Sequence, residues 1–320
     1  MLNRRGFLKS SLSAAAAAGV MSGCRTVADV TITNQPMAKD ISPSTVPDTL
    51  ELSEHGRMAI NGIIGSINPA ADYECTFLTI LDVHPAYMMH WASMVSGVMP
   101  KYVEAMPMLR VMSGSEQGRE IEQGYMNFLL RNMEEDGLIY DRDLPGRPWN
   151  SVTRGGKKDS GDYANIAGNG RMVAGLIHFY QVTGDDKWKR LAKRTAEKML
   201  AVTPSEGDMA WYPNPPGFGN DFSYSRTQGW PTLQKPSEAD EGWEGATLFY
   251  LLQPLRGFIP WYSLSGDERF LDISRKIANF SLQPQFWGAV GENPKTSAER
   301  GHFRGHFHGT LAALRGLLNL

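Results

Sequence analysis

Three hundred and twenty residues, 42% hydrophobic and 21% charged, with mean hydropathy −0.33, make a chain able to bury a large core, which excludes a linker, a tail or a fibrous protein. Thirty-two Lys and Arg against 34 Asp and Glu leave a formal charge of −2, so there is no basic excess for binding nucleic acid. Two cysteines, Cys24 and Cys75, cannot build a disulfide framework, and neither sits in a CxxC pair.

The chain opens on Asn3-Arg4-Arg5-Gly6-Phe7-Leu8-Lys9, the twin-arginine export pattern, followed by a weakly apolar run from Ser10 to Met21. That run is shorter than the roughly 20 apolar residues a membrane span needs. Met21-Ser22-Gly23-Cys24 resembles a bacterial lipobox, which makes Cys24 the expected lipidation site; an ordinary signal cut after Ala18 is the alternative. Both readings export the protein, to the periplasm or cell envelope. Residues 1–23 are thus predicted as signal peptide, 24–48 as a lipidated tether rich in Thr, Asn, Pro and Ser, and 49–320 as the folded domain. Removing Arg4, Arg5 and Lys9 leaves 29 basic against 34 acidic residues in the mature chain. Cys75, then a lone thiol, is expected to pack as a small hydrophobe rather than act as a nucleophile.

Within the domain, Gly184-Asp185 and Gly266-Asp267 align together with their flanks. Downstream, Trp188, Leu191, Ala192 and Ala196 correspond to Phe270, Ile273, Ser274 and Ala278, each 82 residues on. Apolar residues at i, i+3, i+4 and i+8 mark one face of a helix, so each copy reads as helix, Gly-Asp turn, helix. A weaker copy turns at Gly114-Ser115, between Tyr102–Met112 and Ile121–Met133. Signals of strand periodicity are scarce, and the fold class predicted is all-α. Gly309 to Leu320 reads as the first helix of a fourth hairpin, with Leu311, Leu314, Leu317 and Leu318 on one stripe and no second helix to cover it.

Helix pairs joined by long connections on one rim, together with the closing stretch Glu299-Arg300-Gly301-His302-Phe303-Arg304-Gly305-His306-Phe307-His308-Gly309-Thr310-Leu311, resemble the six-hairpin glycosidase superfamily, nearest to the beta-L-arabinofuranosidase-like hydrolases and related uncharacterised bacterial families. The resemblance covers roughly residues 75–320 and implies an (α/α)6 toroid. At turn spacings of 70 and 82 residues a closed ring would need roughly 450 residues, so the toroid is expected to be incomplete in this chain. Arabinofuranosidases of this fold use a cysteine nucleophile beside a cysteine-bound zinc. No such cysteine cluster occurs here, and that mechanism does not carry over.

The connections 134–170, 201–245 and 282–308 hold aromatics and carboxylates of the kind a sugar site needs, with flat rings for C–H faces and acids for hydroxyls and protons. Trp149, Trp230 and Trp243 are the candidate stacking residues; pinning the loops to the helices is the alternative for each. Glycoside hydrolysis uses two carboxyl groups, one protonated and one ionised. Asp240 and Glu241, beside Trp243 and Glu244, are candidate catalytic groups, since adjacent acids can raise one another's pKa; a negatively charged helix start is the other reading. Asp162 is a third candidate, with capping of the following helix as its alternative. Glu292 and Glu299 are reserves. His302, Arg304, His306 and His308 read as substrate contacts for hydroxyls or a uronate, with a divalent metal at His302/His306/His308 or plain loop structure as alternatives. His84 and His90 form a smaller polar cluster.

Together these residues predict a glycoside hydrolase acting by carboxylate acid/base catalysis on an oligo- or polysaccharide, uronic-acid-containing ones included. A polysaccharide lyase and a non-catalytic glycan-binding lipoprotein are the alternatives. The expected partner is carbohydrate, with no nucleic acid, no required cofactor, and membrane contact only through the lipid anchor. No phosphate loop, dinucleotide fingerprint or GxSxG elbow appears.

Overall fold

The computed structural model describes residues 51–90, 94–142, 153–154, 157–158, 162–213, 222–237, 247–287 and 307–320. The protein is mostly helical: α1 (Leu52–Ser66), α2 (Met99–Ser113), α3 (Arg119–Arg131), α4 (Ile166–Thr183), α5 (Asp186–Ala201), α6 (Thr247–Leu252), α7 (Leu255–Ser265), α8 (Glu268–Ser281) and α9 (Phe307–Leu318). Strands are fragments of two or three residues in antiparallel pairs. The pair that matters here joins β1 (Tyr163–Asn165) to β2 (Ser223–Ser225), with Ala164 opposite Tyr224.

The repeated turn works by capping two helices with consecutive residues. Gly184 and Gly266 lie in the left-handed region, at φ 71° and 72°, and donate their N–H to Tyr180 O and Tyr262 O, closing α4 and α7. Asp185 and Asp267 then accept the N–H of Lys187 and Arg269, opening α5 and α8. The residue before each glycine belongs to the motif as well. Thr183 and Ser265 donate their hydroxyls back to Phe179 O and Trp261 O and accept the N–H of the aspartate. Ser113-Gly114-Ser115 repeats the pattern, Ser115 Oγ accepting Gln117 N–H at 3.2 Å. Its continuation differs, since α3 starts only at Arg119, and α2 packs along α1.

The 82-residue correspondence describes the buried faces of α5 and α8. Trp188, Ala192 and Ala196, and Phe270, Ile273, Ser274 and Ala278, are all buried, while Leu191 is half-buried. Burying one such large side chain is worth about 1.5–3 kcal/mol. Two layers result. The first helices of successive hairpins form a row in which α2 lies along α4, α4 along α7, and α6 along α9; α5 and α8 pack against that row.

Glycines set the closeness of the row. A Cβ on Gly168 would come 1.7 Å from Ser96 O, one on Gly175 2.8 Å from Glu104 N, one on Gly257 2.6 Å from Gly170 O, and one on Gly316 2.7 Å from Leu252 O. In α9 the buried face is accordingly the small one, Gly309, Thr310, Ala313 and Gly316. Of the leucine stripe, Leu311 is 47% and Leu318 87% exposed, while Leu314 and Leu317 are half-buried, Leu317 against the core.

Candidate functional site

The first two long connections meet where α4 begins. Asn165 caps α4, its Oδ1 accepting Gly168 N–H at 2.9 Å, so Asp162 is not the cap. Asn169, fully buried, accepts Ile139 N–H at 2.9 Å and donates to Ile139 O and Asn165 O, fastening the first connection to the helix. Asp141 is buried too: its Oδ1 accepts the N–H of Val95 and Ser96, and its Oδ2 pairs with the Ser96 hydroxyl, which in turn accepts Asn165 N–H. These groups hold backbone that would otherwise be unsatisfied in the interior.

On this scaffold sits a partly exposed group of acids, cations and rings. The Asp162 carboxylate lies 3.0 Å from Arg226 Nε, whose guanidinium also approaches Glu134 at 3.9 Å; Arg142 pairs with Glu134. Asp136 accepts the Tyr140 hydroxyl at 2.7 Å and lies 3.3 Å from Lys198 Nζ. Burial first, and then the Asp136 contact, push the Tyr140 phenol far above its ordinary range. The Lys198 ammonium stands 5.3 Å above the Tyr224 ring, which meets Trp230 edge-on at 5.4 Å. Trp230 donates its indole N–H to Val202 O at 2.6 Å. It therefore pins the second connection to the end of α5, the structural role weighed for it against stacking.

Of the sequence-predicted residues, Asp162 and Trp230 fall in this region. His308 opens α9 as an exposed ring 6.3 Å from that of Phe249. Trp149, Asp240, Glu241, Trp243, Glu244, Glu292, Glu299, His302, Arg304 and His306 lie outside the described residues, as does Cys24. Among the described residues, no three His, Cys, Asp or Glu side chains gather as a metal site would require, and no helix is long and apolar enough to cross a membrane. His90 is held at both ring nitrogens, near Asn68 Nδ2 at 3.3 Å and Cys75 O at 2.9 Å, whereas His84 is exposed.

Cys75 is fully buried, and burial, with Glu74 adding, pushes its thiol up to about 12. A thiol kept protonated and covered is a poor nucleophile. In a Cys24→Ser protein, a thiol reagent at about pH 8 should label Cys75 only after denaturation. Rapid labelling of the native protein would contradict this.

A second group was not anticipated from the sequence. Glu104 of α2 receives Arg171 of α4 at 3.0 Å on Oε2 and Arg256 of α7 on Oε1. His178 meets the Glu104 carbonyl at 2.9 Å through Nδ1. Arg171 has its guanidinium pKa lowered to about 10, chiefly by burial, with Arg256 and Arg315 adding and Glu104 opposing. The signal that could have found this group is a lone strong charge in an otherwise apolar first helix. Arg171, Arg256 and Arg315 are the only Asp, Glu, Lys or Arg in α4, α7 and α9.

Compared with known proteins, the chain matches no family model and no curated sequence.

Proposed function

We propose that the protein is a glycoside hydrolase of the (α/α)6-toroid type, acting on an oligo- or polysaccharide. The observation that supports this most is the two-layer arrangement: a row of first helices, backed by second helices, with two long connections meeting at the start of α4. In this reading further copies of that unit close into a ring whose connections line one end. Acids, tyrosines and a tryptophan already meet there at Asp162, Asp136, Tyr140, Tyr224 and Trp230. Asp240 and Glu241 follow in the same connection and are the acid/base pair of this reading.

The test uses the mature protein against a panel of chromogenic glycosides and oligosaccharides. Glu241→Gln or Asp240→Asn should lower kcat by about 10² or more with folding intact, the scale of losing a general acid or base. Full activity in both variants would remove the assignment, and an unsaturated product would replace hydrolysis by a lyase reaction. The same reading places the protein in the cell envelope on a lipid at Cys24. Cys24→Ala should therefore abolish labelling by a radioactive fatty acid, and unchanged labelling would refute the anchor.

A further inference from the structure

Four first helices bring their charges to one place. On α4, Arg171 and His178 lie seven residues apart, two turns along one stripe. That stripe faces away from α5, whose Trp188 meets Phe179 at 5.1 Å and whose Lys189 lies over Tyr180. Glu104 reaches the same stripe from α2 and holds Arg256 of α7, while Arg315 of α9 lies near enough for its charge to lower the Arg171 pKa. The group therefore lies on the face of the helix row opposite the second helices, the face that a ring would turn toward its axis.

Its charges do not balance. Both carboxylate oxygens of Glu104 are taken, one by Arg171 and one by Arg256. Arg315 has no carboxylate within ion-pair distance among the described residues, yet its charge acts on Arg171. Two guanidiniums thus share one carboxylate, with Arg315 a third positive charge beside them. Arg171 Nε, a buried donor, has no acceptor among the described residues. A buried donor left without a partner is costly, the more so on a charged group. Like charges in a poorly solvated place repel strongly, and a bound oxyanion would answer both deficits. Arg315 is exposed, and Arg171 keeps 12% of its side-chain surface open to solvent.

We propose that Arg171 and Arg256, held on Glu104, together with Arg315 form a receptor for the carboxylate of an acidic sugar. Planar guanidiniums suit carboxylates and phosphates alike, so the shared chemistry is an oxyanion. The choice of a sugar carboxylate rests on the glycoside hydrolase reading above. Arg171 and Arg256 are fixed by Glu104 and preorganised; Arg315 supplies the solvent-facing arm.

The experiment measures binding to the mature protein by ligand-observed NMR. Its probes are glucuronate, galacturonate and trigalacturonate, each paired with its methyl ester, and inorganic phosphate. The acids should bind about tenfold or more tightly than their esters, as expected for losing a charge-assisted contact. Arg315→Gln, at an exposed position, should weaken the acids by a similar factor and leave the esters unchanged, with circular dichroism confirming the fold. Equal binding of acid and ester, indifference to Arg315→Gln, or binding of phosphate in place of the sugar acids would overturn the inference while leaving the hydrolase reading intact. If no acid or ester binds and the glycoside panel is also inert, both readings fall together.

Discussion

Gly168→Ala should be among the most damaging single changes in the protein. The added methyl carbon would stand 1.7 Å from Ser96 O, a backbone atom in the turn that leads into α2, and neither partner can rotate away. Overpacking usually costs about 1–3 kcal/mol and more where backbone must move, so a loss of about 3 kcal/mol or greater is expected in urea unfolding. Gly62→Ala is the matched control. Gly62 is exposed in α1 with nothing near its missing Cβ, and alanine there should be neutral or stabilising by up to about 1 kcal/mol. Equal midpoints for the two variants would show that α4 does not rest on the Ser96 turn.

Glu104→Gln should destabilise on a comparable scale for a different reason. It removes the charge that faces Arg171 and Arg256 while keeping the side chain's size, leaving two largely buried guanidiniums without compensation. Breaking one side of a buried ion pair typically costs about 3–5 kcal/mol. Replacing all three with apolar residues of similar volume, Glu104→Leu with Arg171→Met and Arg256→Met, should recover most of that loss, because a buried ionic group is seldom a net stabiliser against a packed apolar one. A triple variant no more stable than Glu104→Gln would mean that the ionic contacts themselves hold α2, α4 and α7 together.

The periodicity of α5 and α8 was legible because their amphipathic faces alternate clearly with water-facing Lys, Arg and Glu. The first helices were harder to read. Those of α4 and α7 are apolar nearly all round, so their packing faces are chosen by size rather than polarity, and glycines decide where two backbones touch. In α9 that rule leaves Leu311 and Leu318 exposed, although hydrophobicity alone would have buried the whole stripe. Capping was the alternative for Asp162 because it precedes a helix; Asn165, three residues on and next to the first turn, accepts the orphan N–H instead and leaves Asp162 to Arg226. Glu104 could not be linked to Arg256 from sequence, since their meeting depends on α4 lying between helices 152 residues apart.

The Thr/Ser-Gly-Asp/Ser turns have a consequence for how such a chain can be altered. Each residue of the triplet already spends its hydrogen-bonding groups on closing one helix or on the turn that follows, so there is no slack peptide to lengthen. One inserted residue would separate the stop signal of the first helix from the start signal of the second and turn the second helix's apolar face by about 100°. The opposite ends of the hairpins carry long connections that, among the described residues, are fastened at separated points such as Asp141, Asn169 and Trp230. Tags, graft loops and inherited insertions should therefore be tolerated at one end of the helix pairs and rejected at the other, and the protein can change what it touches there without redesigning the joints that keep it folded.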